Sequence, residues 1–178
     1  MKIFPFLFLF AVTTSCFAQD TTLVYNSPMY VKDPVRSQWR PVVKRNGELF
    51  AVTFYDKKDV MQEVINFEDQ KLEVRKGPYS RYSNSTLIEK GNYDKGHKHG
   101  TWEQYKVDGQ KGVAETFAYG KLDGKSVRYW GNQQVQEDGS YNSNKKIGIW
   151  LLYYEDGKTA GEEMYDNEGK KIAGKYYT

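Results

Sequence analysis

The sequence predicts an all-β protein, an elongated antiparallel meander of tandem β-hairpin repeats of about 24 residues each. Three observations predict it. A glycine-led pattern of aromatic residues recurs through residues 77–178, turn-forming dipeptides fall at one place within the recurrences, and tyrosine and tryptophan dominate the aromatic content. All 15 tyrosines and 4 tryptophans follow residue 18, whereas five of the nine phenylalanines precede it. Tyrosine and tryptophan bury an apolar ring while keeping a polar edge wet, which suits a thin sheet rather than a thick aliphatic core.

In chain order, residues 1–18 stand apart. Met1-Lys2 is a short basic start, residues 3–12 are an apolar run broken only by Pro5, and Cys16-Phe17-Ala18 offers small residues at the two positions a signal peptidase reads. The run is too short to span a bilayer core of about 30 Å. Its order of parts is that of a secretory signal peptide. The expectation is export to the periplasm or cell envelope with cleavage after Ala18. The alternative is retention as a lipoprotein through acylated Cys16, although Thr13 stands where a lipoprotein signal usually has a leucine-like residue. Cleavage removes the only cysteine, leaving no disulfide and no thiolate metal site. It also removes Lys2, taking the formal charge from +3 to +2, too small a net charge to point to nucleic acid.

Residues 19–76 form a less regular lead-in. Residues 39–44, 48–55 and 60–67 read as strands separated by polar stretches containing Asn46-Gly47 and Lys57-Lys58-Asp59. Phe67 precedes Tyr93 by 26 residues, so a degenerate first repeat is expected here, with a small separate domain as the alternative.

The repeats follow. Gly77, Gly100, Gly124, Gly148 and Gly174 lead them at spacings of 23, 24, 24 and 26 residues. Gly100 is followed by Trp102, Tyr105 and Phe117; Gly124 by Ser126, Tyr129 and Tyr141; Gly148 by Trp150, Tyr153 and Tyr165. Asp108-Gly109, Gly131-Asn132 and Asp156-Gly157 are expected as two-residue turns. Folding about these turns sets Gly100 opposite Phe117, Trp102 opposite Glu115 and Tyr105 opposite Gly112. It also sets Gly148 opposite Tyr165, Trp150 opposite Glu163 and Tyr153 opposite Ala160. A ring thus lies across a residue with little side chain, covering backbone that glycine leaves bare. The middle copy has Ser126 in place of tryptophan and sets Tyr129 opposite Gln134 or Gln136, so its hairpin is expected to be the weakest. Trp102 and Tyr105 project from opposite faces, and residues 176–178 close the last edge.

These residues resemble the bacterial variant of the MORN repeat family. The matching pattern runs from Tyr93, Gly96, Gly100, Trp102 and Tyr105 through Phe117, Gly120 and Gly124 to Tyr141, Gly148, Trp150 and Tyr153, over residues 77–178. The resemblance implies an elongated hairpin array with binding roles: protein–protein contacts and, in some members, membrane lipids. Some bacterial members act as antitoxins, which implies a further alternative, an inhibitor of a partner protein.

No catalytic constellation, cofactor loop or metal set is expected. His97-Lys98-His99 holds both histidines of the chain, so carboxylate partners for a metal would have to come from elsewhere. Glu103 with Glu115, or Glu162 with Glu163, has the composition of a glycosidase pair, but a thin sheet implies no pocket between them. The more informative chemistry is basic. Lys95, His97 and Lys98 mark one inter-hairpin turn, Lys121 and Lys125 the next, Lys145 and Lys146 the third, Lys170 and Lys171 the fourth. Equivalent positions in a regular array line up along one edge, giving a basic stripe interrupted by Asp94, Asp123, Asp166 and Glu168. The expected function is a non-enzymatic envelope scaffold for an unidentified protein partner. The alternative is a peripheral binder of anionic membrane or polysaccharide through the basic turns. A third possibility is an exported enzyme whose site lies in residues 19–76.

Overall fold

The structure, a computed structural model, describes residues 35–178. The expected signal peptide and Cys16 lie outside the described residues. Residues Arg36–Gln38 make one 3₁₀ turn. Twelve strands follow: β1 (Arg40–Asn46), β2 (Leu49–Tyr55), β3 (Met61–Phe67), β4 (Arg75–Ser83), β5 (Thr86–Asp94), β6 (His97–Tyr105), β7 (Lys111–Ala118), β8 (Lys121–Tyr129), β9 (Val135–Asn142), β10 (Lys145–Tyr153), β11 (Thr159–Tyr165) and β12 (Lys171–Tyr176). They form one antiparallel sheet in sequence order. The strands of the lead-in therefore continue into the repeats without a break. The three strands expected there are β1, β2 and β3, within two residues at each end.

Because the strands alternate in direction, the connections fall on two rims. The first rim carries 47–48, 68–74, 95–96, 119–120, 143–144 and 167–169; the second carries 57–59, 84–85, 107–109, 131–133 and 155–157. Several are tight two-residue turns with positive φ at both positions, as at Tyr119 (+46°) and Gly120 (+86°), or Ser143 (+48°) and Asn144 (+70°). This geometry matches the right-handed twist of the flanking strands.

The expected two-residue turns at Asp108-Gly109, Gly131-Asn132 and Asp156-Gly157 are three-residue loops instead. The Lys106 N–H donates to the Gln110 carbonyl at 2.8 Å and the Gly109 N–H to the Lys106 carbonyl at 2.9 Å, with Gly109 at φ +83°. The same pair of bonds closes 131–133 and 155–157, and in the middle copy Gln133, at φ +67°, takes the left-handed position. The aspartate braces the loop with its side chain. Its carboxylate accepts the N–H two residues on, at 2.9 Å for Asp108 and 3.0 Å for Asp156, and the Asn132 side-chain oxygen does the same at 3.0 Å. Asp-Gly suits either kind of loop, so the dipeptide alone does not choose between them.

The extra loop residue shifts the adjacent pairing by one, and a bulge restores it. Tyr105 faces Lys111 rather than Gly112, Tyr153 faces Thr159 rather than Ala160, and Tyr129 faces Val135 rather than Gln134 or Gln136. Beyond the bulge the expected register holds: Gly100 faces Phe117, Trp102 faces Glu115, Gly148 faces Tyr165 and Trp150 faces Glu163.

Cross-strand partners share a face, so the pairing assigns the rings within the strands. One face, here the inner face, carries Val52, Phe54, Ile65, Phe67, Tyr79 and Trp102 as a continuous buried cluster, with Trp39, Tyr93 and Phe117 against it. Trp102 and Trp150 are only 2% and 1% exposed although no second layer covers them among the described residues. Each achieves this by lying flat on a glycine: a Cβ added at Gly91 would sit 2.3 Å from the Trp102 ring, and one at Gly139 would sit 2.2 Å from Trp150. The indole N–H donates to the Asn92 carbonyl at 3.0 Å in the first case and to the Ser140 carbonyl at 3.2 Å in the second. Tyr93 and Tyr141 then meet their tryptophans edge-on, each at 5.0 Å between centroids.

Two substitutions test this seat. Trp150→Ala is expected to cost about 3–5 kcal/mol, the usual range for deleting a buried ring. Gly139→Ala is expected to cost about 1–3 kcal/mol by overpacking. The double variant should cost distinctly less than the two together, because the added methyl group fills the vacated seat. Urea unfolding measures all three, and strict additivity would contradict this packing.

Candidate functional site

The inner face is chemically closed. The Lys98 ammonium lies 4.0 Å from the Trp102 centroid and 2.9 Å from a Glu89 carboxylate oxygen. The same unit recurs 48 residues later, with Lys146 at 3.8 Å from Trp150 and 2.6 Å from Glu137. Between them the middle copy replaces every member: Val113 for the glutamate, Leu122 for the lysine, Ser126 for the tryptophan, and Glu115 for the glycine beneath the ring. The two units are thus spaced two hairpins apart on the inner face. An ammonium over an indole, neutralised by one carboxylate, is a stable partly desolvated arrangement. It also means that Lys98 and Lys146 are committed within the fold.

The basic groups singled out in the sequence do lie along the first rim, and the fold brings them into line. They divide by availability. Lys98, Lys146 and Lys171 are paired with Glu89, Glu137 and Glu163, and Lys125 lies 3.4 Å from Asp138. Lys95 leans over the Tyr119 ring at 5.7 Å. Lys121, Lys145 and Lys170 are exposed, and among the described residues no carboxylate lies within ion-pair distance of them. His97 is exposed beside Gly120, and the His99 ring lies tilted against Tyr119, 4.8 Å between centroids. Among the described residues no three His, Cys, Asp or Glu side chains gather as a metal site.

The outer face carries a second row of rings. Tyr105, Tyr129 and Tyr153 each stand three residues beyond the seat position 102, 126 or 150, and so point the other way. Each is half-buried at the second-rim end of its strand, as are Tyr55, the last residue of β2, and Tyr82, the last but one of β4. Two strand widths separate successive rings, about 10 Å in a flat sheet. Beside Tyr105 lies a cluster the sequence did not announce. Glu103 accepts from the Tyr105 hydroxyl at 2.7 Å and is bound by Lys111 and, at 2.9 Å, by Lys90. Lys111, then Tyr105, then Lys90 hold its pKa down at about 2, against an ordinary 4.5. Glu163 is held at about 2 by Lys171, Tyr176 and Tyr165. The Glu pairs considered as acid and base are thereby placed: Glu103 and Glu163 are anchors of ion-pair clusters. A search for identities 48 residues apart, such as Gly91 with Gly139 or Glu89 with Glu137, would have exposed the inner-face units.

Fold and surfaces together define a single-sheet β-hairpin repeat protein. No family model matches the chain, and no curated protein matches it. Among solved structures it is similar to S. aureus TarM. A TarM mutant in complex with Fondaparinux, alpha-GlcNAc-glycerol and UDP aligns at a TM-score of 0.42 and 11% identity, covering 71% of this chain and 23% of that one. A second TarM structure aligns at 0.41 and 12%, with the same coverage. The chain spans less than a quarter of the length of these structures, and a likeness this distant carries no functional argument.

The two depressed carboxylates fix a sign for the pH response. A group whose folded pKa lies below its unfolded value stabilises the fold above the unfolded value and loses that contribution as pH falls through the folded one. Stability should therefore decline from about pH 4.5 towards 2. Glu103→Gln with Glu163→Gln should flatten that decline, read as urea midpoints across the acid range. An unchanged profile would contradict the assignment.

Proposed function

We propose that this protein is a non-enzymatic, MORN-like hairpin scaffold, exported to the cell envelope, that binds a partner protein along its outer face. The observation that carries this reading is the division of rings between faces. The inner-face tryptophans are spent on packing, whereas Tyr105, Tyr129 and Tyr153 form a row on the opposite face, with Tyr129 and Tyr153 outside the ion-pair clusters. Tyrosine supplies contact area together with a hydroxyl at small entropic cost and is enriched at protein interfaces. The shifted groups Glu103, Lys90, Lys111, Glu163 and Lys171 serve one another as ion pairs, which supports a structural role for each.

The test uses Tyr129→Ser and Tyr153→Ser together. Affinity capture from envelope extracts with the original protein is expected to retain a partner that the double variant loses, while the thermal midpoint moves by only a few degrees. Equal capture by both proteins would sink the outer-face reading.

A second reading rests on the exposed line of Lys121, Lys145 and Lys170 along the first rim: peripheral attachment to an anionic membrane or polysaccharide. Exposed cations near such a surface contribute about 1 kcal/mol each. In that case the protein pellets with anionic vesicles at low salt, and replacing the three lysines by glutamine abolishes pelleting. Pelleting that persists after the replacement would reject the rim as the contact.

A further inference from the structure

The described sheet ends at two strands, and their edges differ. β1 carries Pro41, which has no N–H to give, together with Arg40, Lys44 and Arg45 among its seven residues. Proline and clustered cations are the usual means of closing a strand edge to pairing. β12 has no proline, and every one of its six residues is exposed. Its cations are drawn aside: Lys171 is bound by Glu163, and Lys175 lies 4.9 Å from the Tyr177 ring.

Exposed apolar side chains collect at this end. Ile149 is 54% exposed, Met164 41%, Ile172 57% and Tyr176 58%. Ile149, Met164 and Ala173 line a shallow groove of about 160 Å³ on the outer face, with Glu162 and Lys175 at its margin. An apolar surface beside an unpaired strand suits an added strand, whose main chain would supply the missing hydrogen bonds.

We propose that this added strand is β12 of a second copy, paired antiparallel about a two-fold axis at Gly174. In this register Gly174 meets Gly174 of the second copy, Ala173 meets Lys175, and Ile172 meets Tyr176. No lysine faces a lysine, so the like-charge penalty of cross-strand pairs is avoided. The two apolar residues most exposed on β12 cover each other. The Lys175 stem from the second copy lies over Ala173 at the margin of the groove, with its ammonium left in water. Each copy offers the same strand to the other, so the contact is isologous and closes at the dimer. Because both inner faces stay on one side, the product is a single sheet of twice the strand number. The outer-face tyrosine rows are then presented in duplicate. The dimer stands apart from the proposed partner binding, since a monomer would still carry its tyrosine row.

Sedimentation velocity on the purified chain tests the proposal. Monomer–dimer exchange over micromolar concentrations, with nothing larger than dimer, is the expected result. Ile172→Lys places a cation within each strand's apolar contact, and should raise the dimer dissociation constant at least tenfold without moving the unfolding midpoint. On a Cys16→Ser background, Gly174→Cys should yield a disulfide-linked dimer on oxidation. The added Cβ meets the movable end of Lys171 and lies 3.5 Å from the Tyr176 hydroxyl, and cross-strand Cα separations of about 4.5–5.5 Å suit the bond. Lys158→Cys, in an exposed position at the other rim, should give none. A protein that stays monomeric at all concentrations, assembles into open-ended oligomers, or dimerises unchanged with Ile172→Lys would overturn the proposal. Failure of Gly174→Cys to fold leaves the Ile172→Lys comparison decisive.

Discussion

The described residues form a single sheet with no second layer, which must bury its large side chains on itself, and it does so by laying an indole directly on a glycine of the neighbouring strand. That seat exists only where no Cβ intervenes, which ties Trp102 to Gly91 and Trp150 to Gly139. The remaining features of the inner face gather around it. The edge-on tyrosine closes one side of the ring, the lysine covers its face, and the glutamate neutralises the lysine. Where the tryptophan is missing, at Ser126, the glycine, lysine and glutamate are missing too. This joint substitution accords with the four residues acting as one packing unit: a lysine without the ring would lose its cation–π partner, and Glu137 without Lys146 would be a partly buried carboxylate without its cation, whereas Glu89 is also held by Arg81 at 3.2 Å.

The seat also decides where function has room. Trp102, Trp150, Lys98 and Lys146 on the inner face are satisfied within the chain and are committed to its packing. The outer face and the first rim carry the less committed groups: Tyr129 and Tyr153 on one, Lys121, Lys145 and Lys170 on the other. Turn residues bind successive hairpins to each other, as the Gly120 N–H donates to the Lys98 carbonyl at 2.8 Å and the Asn144 N–H to the Leu122 carbonyl at 2.8 Å. These bonds hold the rim groups in a fixed array, so any ligand meets a preformed surface.

Much of the fold was legible because a repeat presents the same local solution several times. The leading glycines and rings placed the hairpins, and the far register of Trp102 and Trp150 followed from them. The near register did not. Asp-Gly permits a two-residue or a three-residue loop, and the one-residue bulge that compensates has no fixed residue type: it is Gly112, Gln136 and Ala160 in the three copies. The basic stripe was visible as spacing, but its division into paired and unpaired lysines was not. Neutralisation depends on Glu89, Glu137 and Glu163 from neighbouring strands, contacts that a period of one hairpin conceals because the middle copy lacks them. The Glu103 cluster was hidden for a related reason, since Lys90 and Lys111 reach it from strands on either side.

If the indole-on-glycine seat governs the array, local stability must follow a two-hairpin alternation rather than a uniform repeat. Native-state amide hydrogen exchange reads this strand by strand, because it reports the free energy of local opening. The account predicts the strongest protection in the strands that flank Trp102 and Trp150, β5–β6 and β9–β10, and distinctly weaker protection where β7 meets β8 around Glu115 and Ser126. Uniform protection across these strands, or a maximum in the middle copy, would contradict it.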